Sequence, residues 1–138
     1  MNIKGYELPD GLYYHEEHLW VKVTGNKARV GMMDFAQKLA GEISYVELPS
    51  EDSNVKQDEE VGTIETGKWV GKIYAPVSGR IMAVNKELND DPTLINQSPY
   101  ENGWIFEIEM SDSNELKNLF TGEEAVKWQE DEIKKHVK

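Results

Sequence analysis

Apolar and polar residues alternate over short runs along most of the chain, and the runs are bounded by glycine, proline, asparagine or aspartate. Such a pattern predicts short strands joined by tight turns. Leu19-Trp20-Val21-Lys22-Val23 reads as a strand, Gly25-Asn26 as a turn, and residues 28–32 as the returning strand of a hairpin. Residues 43–48, ended by Pro49, read as the next strand, followed by 60–64, 72–75, 80–84 and 104–110. Turn signals stand at Pro9-Asp10-Gly11 and Ala75-Pro76-Val77-Ser78-Gly79, and Asn89-Asp90-Asp91-Pro92 breaks the chain again. Helical spacing replaces alternation near residues 34–40, where Asp34 is the expected N-cap, Gln37 follows three later and Gly41 closes the end. Leu116, Leu119 and Phe120 predict a second helix. Thr121 and Glu124 have capping-box spacing for a third, whose stripe of Val126, Ile133 and Val137 reads as packing. The sum is mainly β: a compact sandwich or barrel with small helices and a helical C-terminus. One domain over 1–138 is expected, with its core at about 12–110 and C-terminal helices at about 112–136.

One turn stands out. Glu65-Thr66-Gly67-Lys68-Trp69 separates two of the predicted strands. Gly67 can take the positive φ of a tight reversal, which puts Lys68 at or beside the tip of a hairpin. A lone lysine on a turn is ordinarily a solvated charge, and the local sequence carries the reading no further.

Composition narrows the chemistry. The 138 residues include no cysteine, so disulfides, thiolate metal sites and cysteine nucleophiles are excluded. Any thiol chemistry has to come from an attached group. His15 and His18 are close, but no third ligand pattern accompanies them, so no metal site is expected. The net charge is −11, from 26 acidic and 15 basic residues, which argues against nucleic-acid binding. Six acidic residues with one lysine crowd 47–60, which reads as a solvated loop or a docking rim. No apolar run approaches the length of a membrane helix, and residues 1–5 have neither a secretory nor a transit pattern, so no membrane and a cytoplasmic location are the expectations. There is no phosphate loop, nucleophile elbow or convincing acid/base pair, and the chain is not expected to be an enzyme in its own right.

Several stretches in order resemble the glycine cleavage H-protein family over roughly residues 12–125. They include His18-Leu19-Trp20-Val21, Gly31-Met32-Met33-Asp34-Phe35-Ala36-Gln37, Tyr45-Val46-Glu47-Leu48-Pro49 and Tyr74-Ala75-Pro76-Val77-Ser78-Gly79. Later come Leu94-Ile95-Asn96, Ser98-Pro99-Tyr100 and Gly103-Trp104. The resemblance implies a lipoyl-domain-like flattened β-barrel/sandwich, a barrel-sandwich hybrid. It implies a lipoate arm joined covalently to Lys68, with Glu65, Gly67 and Trp69 as the rest of the attachment motif. Lys72 is four residues out of place. It also implies a carrier that shuttles an aminomethyl group between glycine decarboxylase, an aminomethyltransferase and dihydrolipoyl dehydrogenase, and that is itself modified by a lipoate ligase or lipoyltransferase. A monomer is the expected state.

The chain departs from the family pattern at three positions. Leu19 stands where the family usually has a glutamate that helps hold the loaded arm in a cleft. Phe35 stands where a histidine or tyrosine is often seen, and Gly67-Lys68-Trp69 replaces Val-Lys-Ala. These changes leave two alternatives. One is an H-like lipoate-binding protein that works with heterodisulfide-reductase-like complexes in sulfur oxidation. The other is an unmodified interaction domain.

Overall fold

The computed structural model describes residues 1–136. The chain opens with a two-stranded ribbon, β1 (Asn2–Ile3) and β2 (Tyr6–Glu7). Then come β3 (Tyr13–His15), β4 (Leu19–Thr24), β5 (Lys27–Met32), α1 (Asp34–Ala40), β6 (Ile43–Glu47) and β7 (Asn54–Val55). The hairpin of β8 (Glu60–Thr66) and β9 (Val70–Tyr74) follows, and after it β10 (Gly79–Val84), α2 (Glu87–Asp90) and α3 (Leu94–Gln97). β11 (Phe106–Met110), a 3-10 helix (Ser113–Asn118) and α4 (Gly122–His136) complete the described residues. Val137, the last position of the expected C-terminal stripe, lies outside them.

Two antiparallel sheets make the body. One has six strands in the order β3-β4-β5-β11-β10-β7, and the other has three in the order β6-β8-β9. Both contribute to one buried core, with Val21, Val30 and Ile108 from the first and Ile43, Ile64 and Ile73 from the second. The mainly β expectation is met. Among the described residues no strand pairing joins the two sheets, so the sandwich is not closed into a barrel.

Trp20 shows why the β4–β5 hairpin has its sequence. It sits opposite Gly31 in the register, and a Cβ on Gly31 would fall 2.5 Å from the indole ring. Only glycine leaves room for the ring there. The indole N–H donates to the Pro99 carbonyl at 2.8 Å, so the buried polar end is satisfied.

Several boundaries differ from the sequence reading. Asp34 is not the N-cap of α1 but its first residue; Met33 precedes it with no side-chain cap. The free N–H of Asp34 is taken up instead by the Tyr100 hydroxyl at 3.0 Å, which donates onward to the Glu7 carbonyl at 2.7 Å. Burial raises the Tyr100 pKa well above the ordinary tyrosine value, so it remains a donor. The Asp34 carboxylate accepts from the Glu7 N–H and from Gln37. Within the acidic stretch 47–60, β7 pairs with β10, so part of the expected loop is strand. Trp104 lies before β11, and its ring packs under the Arg29 guanidinium at 4.6 Å. The helix expected around 116–120 is a 3-10 helix. Thr121 stands just before α4, but its hydroxyl donates to the Leu12 carbonyl and accepts no helix N–H among the described residues.

Asn96 is the polar joint between α1 and the smaller sheet. Its Oδ1 accepts the Ile43 N–H at 2.9 Å, and its Nδ2 donates to the Gly41 carbonyl and to Gln37 Oε1, each at 2.9 Å. Replacing it with alanine leaves all three groups without this partner in a mostly buried place. Asn96→Ala is therefore expected to cost about 2–4 kcal/mol. It should appear as a lowered urea midpoint with an unchanged slope. A loss below about 0.5 kcal/mol would show that the joint lies elsewhere.

Candidate functional site

The β8–β9 hairpin presents the lysine turn. Pairing is continuous from Thr63↔Lys72 through Ile64↔Gly71 to Glu65↔Val70, and the Thr66 N–H then donates to the Trp69 carbonyl at 2.8 Å. That leaves Gly67 and Lys68 at the tip, both exposed. Gly67 does not take a positive φ, and a Cβ there would meet nothing within 4 Å. The expected glycine requirement is absent. Thr66 takes over that part, since its hydroxyl accepts the Lys68 N–H at 3.3 Å and lies 3.5 Å from the Trp69 carbonyl. A local side-chain-to-backbone contact of this kind shapes a turn without a left-handed residue.

Two lysines flank the hairpin, and they differ. Lys72 Nζ sits 3.0 Å from Glu60 Oε1, and the hydrogen bond to that carboxylate raises its pKa. Among the described residues, the Lys68 amine makes no ion pair and no hydrogen bond. Its stem runs past the end of α1, with Cε 4.0 Å from where a Cβ on Gly41 would lie. Trp69 is 45 % exposed, and its ring lies over Gly71, where a Cβ would fall 2.1 Å from it. Glu65 is half-buried on β8, opposite Tyr45 and Val70.

Beside the hairpin is a cleft of about 670 Å³. Leu19, Met32, Leu39, Ile64 and Val70 give it apolar walls, and Lys68 and Trp69 line it from the tip. The volume suits a small organic group. Leu19 is 3 % exposed, so the position that departs from the family pattern is a packed wall residue. Phe35 is fully buried, with its ring edge-on to Tyr6 at 4.9 Å and to His18 at 5.8 Å, which makes it a core residue.

The two neighbouring histidines part company. His15 Nδ1 accepts the Glu17 N–H, so Nε2 carries the proton it donates to Asp58 at 2.6 Å. His18 turns toward the C-terminal helix and meets Glu132 Oε1 at 2.7 Å. Partial burial pushes the Glu132 carboxyl up. His18 and Lys135 more than offset this and hold it below the usual carboxylate range. His136, one turn beyond Glu132, lines the same cleft as Lys68. The sequence reading missed Thr66, Glu132 and His136. Threonine before Gly-Lys is a turn signal that was available, whereas the meeting of His18 with α4 is not visible in local sequence.

The model of the Glycine cleavage H-protein family matches residues 12–132. The "Glycine cleavage system H protein" of Bacillus cereus (strain AH187) is 46% identical over 116 residues, covering 84% of this chain and 91% of that protein. The protein of the same name from Bacillus anthracis (strain A0248) matches to the same extent. The crystal structure of a glycine cleavage system H protein from Mycobacterium marinum superposes with a TM-score of 0.77 at 28% identity, over 91% of this chain and 98% of that one. A lysine without a partner among the described residues, at the tip of a paired hairpin, suits a carrier, and by these matches the chain belongs to the glycine cleavage H-protein family of lipoyl carriers.

Proposed function

We infer that Lys68 is the residue that carries the lipoyl group. The observation that carries this reading is an exposed amine without a partner among the described residues, at the tip of a paired hairpin and beside an apolar cleft. Amide formation at Nζ removes the lysine charge and adds a flexible arm. The distal dithiolane supplies the sulfur that a chain with no cysteine lacks. Glu65, Gly67 and Trp69 complete the motif by shape. Glu65 lies in the last strand pair before the tip, Gly67 leaves the approach to Lys68 open, and Trp69 bounds one side of it.

The arm's base is held while its tip travels, which raises the effective concentration of the cargo at each partner. The partners in this reading are glycine decarboxylase, which loads an aminomethyl group, an aminomethyltransferase, which removes it, and dihydrolipoyl dehydrogenase, which reoxidises the dithiol. A lipoate ligase or lipoyltransferase attaches the arm. The same reading has the protein working as a cytoplasmic monomer, with a single sedimenting species of 15.8 kDa as its signature.

Intact mass after incubation with a lipoate ligase, ATP and lipoate tests the attachment. Lys68→Arg is expected to gain no lipoyl mass, and Lys72→Arg to gain it in full. The reverse result moves the arm to Lys72. Pathway membership is read by glycine–bicarbonate exchange with glycine decarboxylase, which is expected from the lipoylated chain and lost in Lys68→Arg. Leu19 in the cleft wall is the observation that favours a carrier of another pathway. Absence of exchange from fully lipoylated protein, with a partner that accepts an authentic H protein, would establish that second reading.

A further inference from the structure

We propose that His18, Glu132 and His136 form a zinc-binding site that pins α4 to the turn between β3 and β4. The metal-binding atoms of these three side chains all lie within 4.8 Å of one another. His18 Nε2 and Glu132 Oε1 are already 2.7 Å apart. Four-coordinate zinc with bond lengths of about 2.0–2.1 Å sets neighbouring ligands about 3.3 Å apart. The His18–Glu132 pair therefore has to open by about 0.6 Å, exchanging its hydrogen-bonded proton for the metal, while the exposed His136 closes in, and both shifts are of the size side-chain torsions supply.

Each element contributes for a local reason. Glu132 and His136 are four residues apart on α4, so they stand one above the other on the same helix face. His18 ends the β3–β4 turn at φ 66, a left-handed conformation that histidine adopts more readily than most residues. Two backbone bonds fix it there, from its own N–H to the His15 carbonyl and from the Met33 N–H to its carbonyl. Aromatic neighbours hold the imidazole, with Trp128 stacked at 5.6 Å and Phe35 edge-on at 5.8 Å. A half-buried site of this kind excludes water better than a surface cluster does, with His18 at 24% and Glu132 at 12% side-chain exposure.

The donor set favours a first-row transition ion over the alkaline-earth ions. Two imidazoles and one carboxylate are a known zinc set with room for a further ligand. Magnesium and calcium favour all-oxygen sites, and two nitrogens disfavour them. The net charge of −11 raises the local concentration of any cation. One turn before Glu132, Gln129 is fully buried with neither amide atom paired among the described residues. The buried face of α4 therefore carries two polar side chains, Gln129 and Glu132, between the apolar Ala125 and Ile133.

The test uses the full-length, untagged, unlipoylated chain after chelator treatment, so its outcome does not depend on which lysine carries the arm. Cobalt(II) is titrated as a spectroscopic probe and then displaced with zinc. One cobalt per chain at micromolar affinity, with the intense visible bands of four-coordination, is expected. His136→Ala and Glu132→Gln should each weaken binding at least about tenfold, since even the loss of a residue supporting a ligand costs that much. Circular dichroism checks that both variants keep their fold, and His136 is exposed enough for its removal to be tolerated. No binding at micromolar metal, or binding that both variants leave within threefold, overturns the site.

Discussion

A swinging arm is useful only if its root stays still, and with attachment at Lys68, as proposed, that root rests on how α1 is joined to the smaller sheet. The Asn96 carboxamide bonds the carbonyl of Gly41, at the C-terminal end of α1, and the first N–H of β6. The helix end and the strand start therefore move as one piece. Leu39 on α1 and Ile64 on β8 face the same cleft from the two sides of that joint. The cleft width is thus set by one buried amide and by the packing of Ile43, Ile64 and Ile73 beneath it. The amide adds direction to non-directional apolar burial. A helix end could slide along an apolar surface at little cost, but it cannot slide past three hydrogen bonds that have no other partner.

The hairpin carries that rigidity outward. β8 is paired on both sides, to β6 and to β9, so it is the central strand of its sheet. The pairing runs to Glu65 and Val70. Beyond it only Gly67 and Lys68 are released, and Thr66 limits even those through its hydroxyl. The transition from ordered strand to free side chain takes two residues. Lys72 lies on the same hairpin and is equally exposed, yet Glu60 holds it within the ladder. Exposure alone does not distinguish these lysines, whereas the presence or absence of a carboxylate across the strand does.

Much of this was legible in the sequence. Alternation found the strands because the sheets have one face turned inward, and the Gly/Pro turns bounded them. Lys68 at an exposed tip was also legible. Asp34 has the right chemistry for a cap, but Tyr100, sixty-six residues away, takes the N–H of Asp34 itself, and the Asp34 carboxylate is held by the Glu7 N–H, Gln37 and Lys38. Thr121 has capping-box spacing, but its hydroxyl is turned to the Leu12 carbonyl, 109 residues away in the chain. Gly67 suggested a left-handed turn, and an adjacent hydroxyl made that unnecessary. At Asp34 and Thr121 the local group is visible in the sequence and its long-range partner is not; at Gly67 the overlooked group is next door. His15 and His18 make the same point, because they read as a pair and then bond Asp58 and Glu132 in different directions.

The C-terminal helix shows what a stripe read from sequence leaves out. The expected packing stripe is Val126, Ile133 and Val137, flanked by Ala125 and Trp128. Ala125 and Ile133 are buried and Val126 and Trp128 pack partly against the core, but the buried face also takes in Gln129 and Glu132. Two of the four buried residues are polar, so apolar burial alone does not dock this helix. Its attachment leans on the contact between Glu132 and His18, and on Trp128 stacked over Phe120 at 4.8 Å. His18 also lines the cleft that Lys68 lines. Whatever holds α4 in place therefore holds one wall of the cleft, and a helix docked through paired polar groups responds to what those groups bind. The hairpin side of the cleft is fixed by sheet pairing, and the helix side is set by chemistry at three side chains.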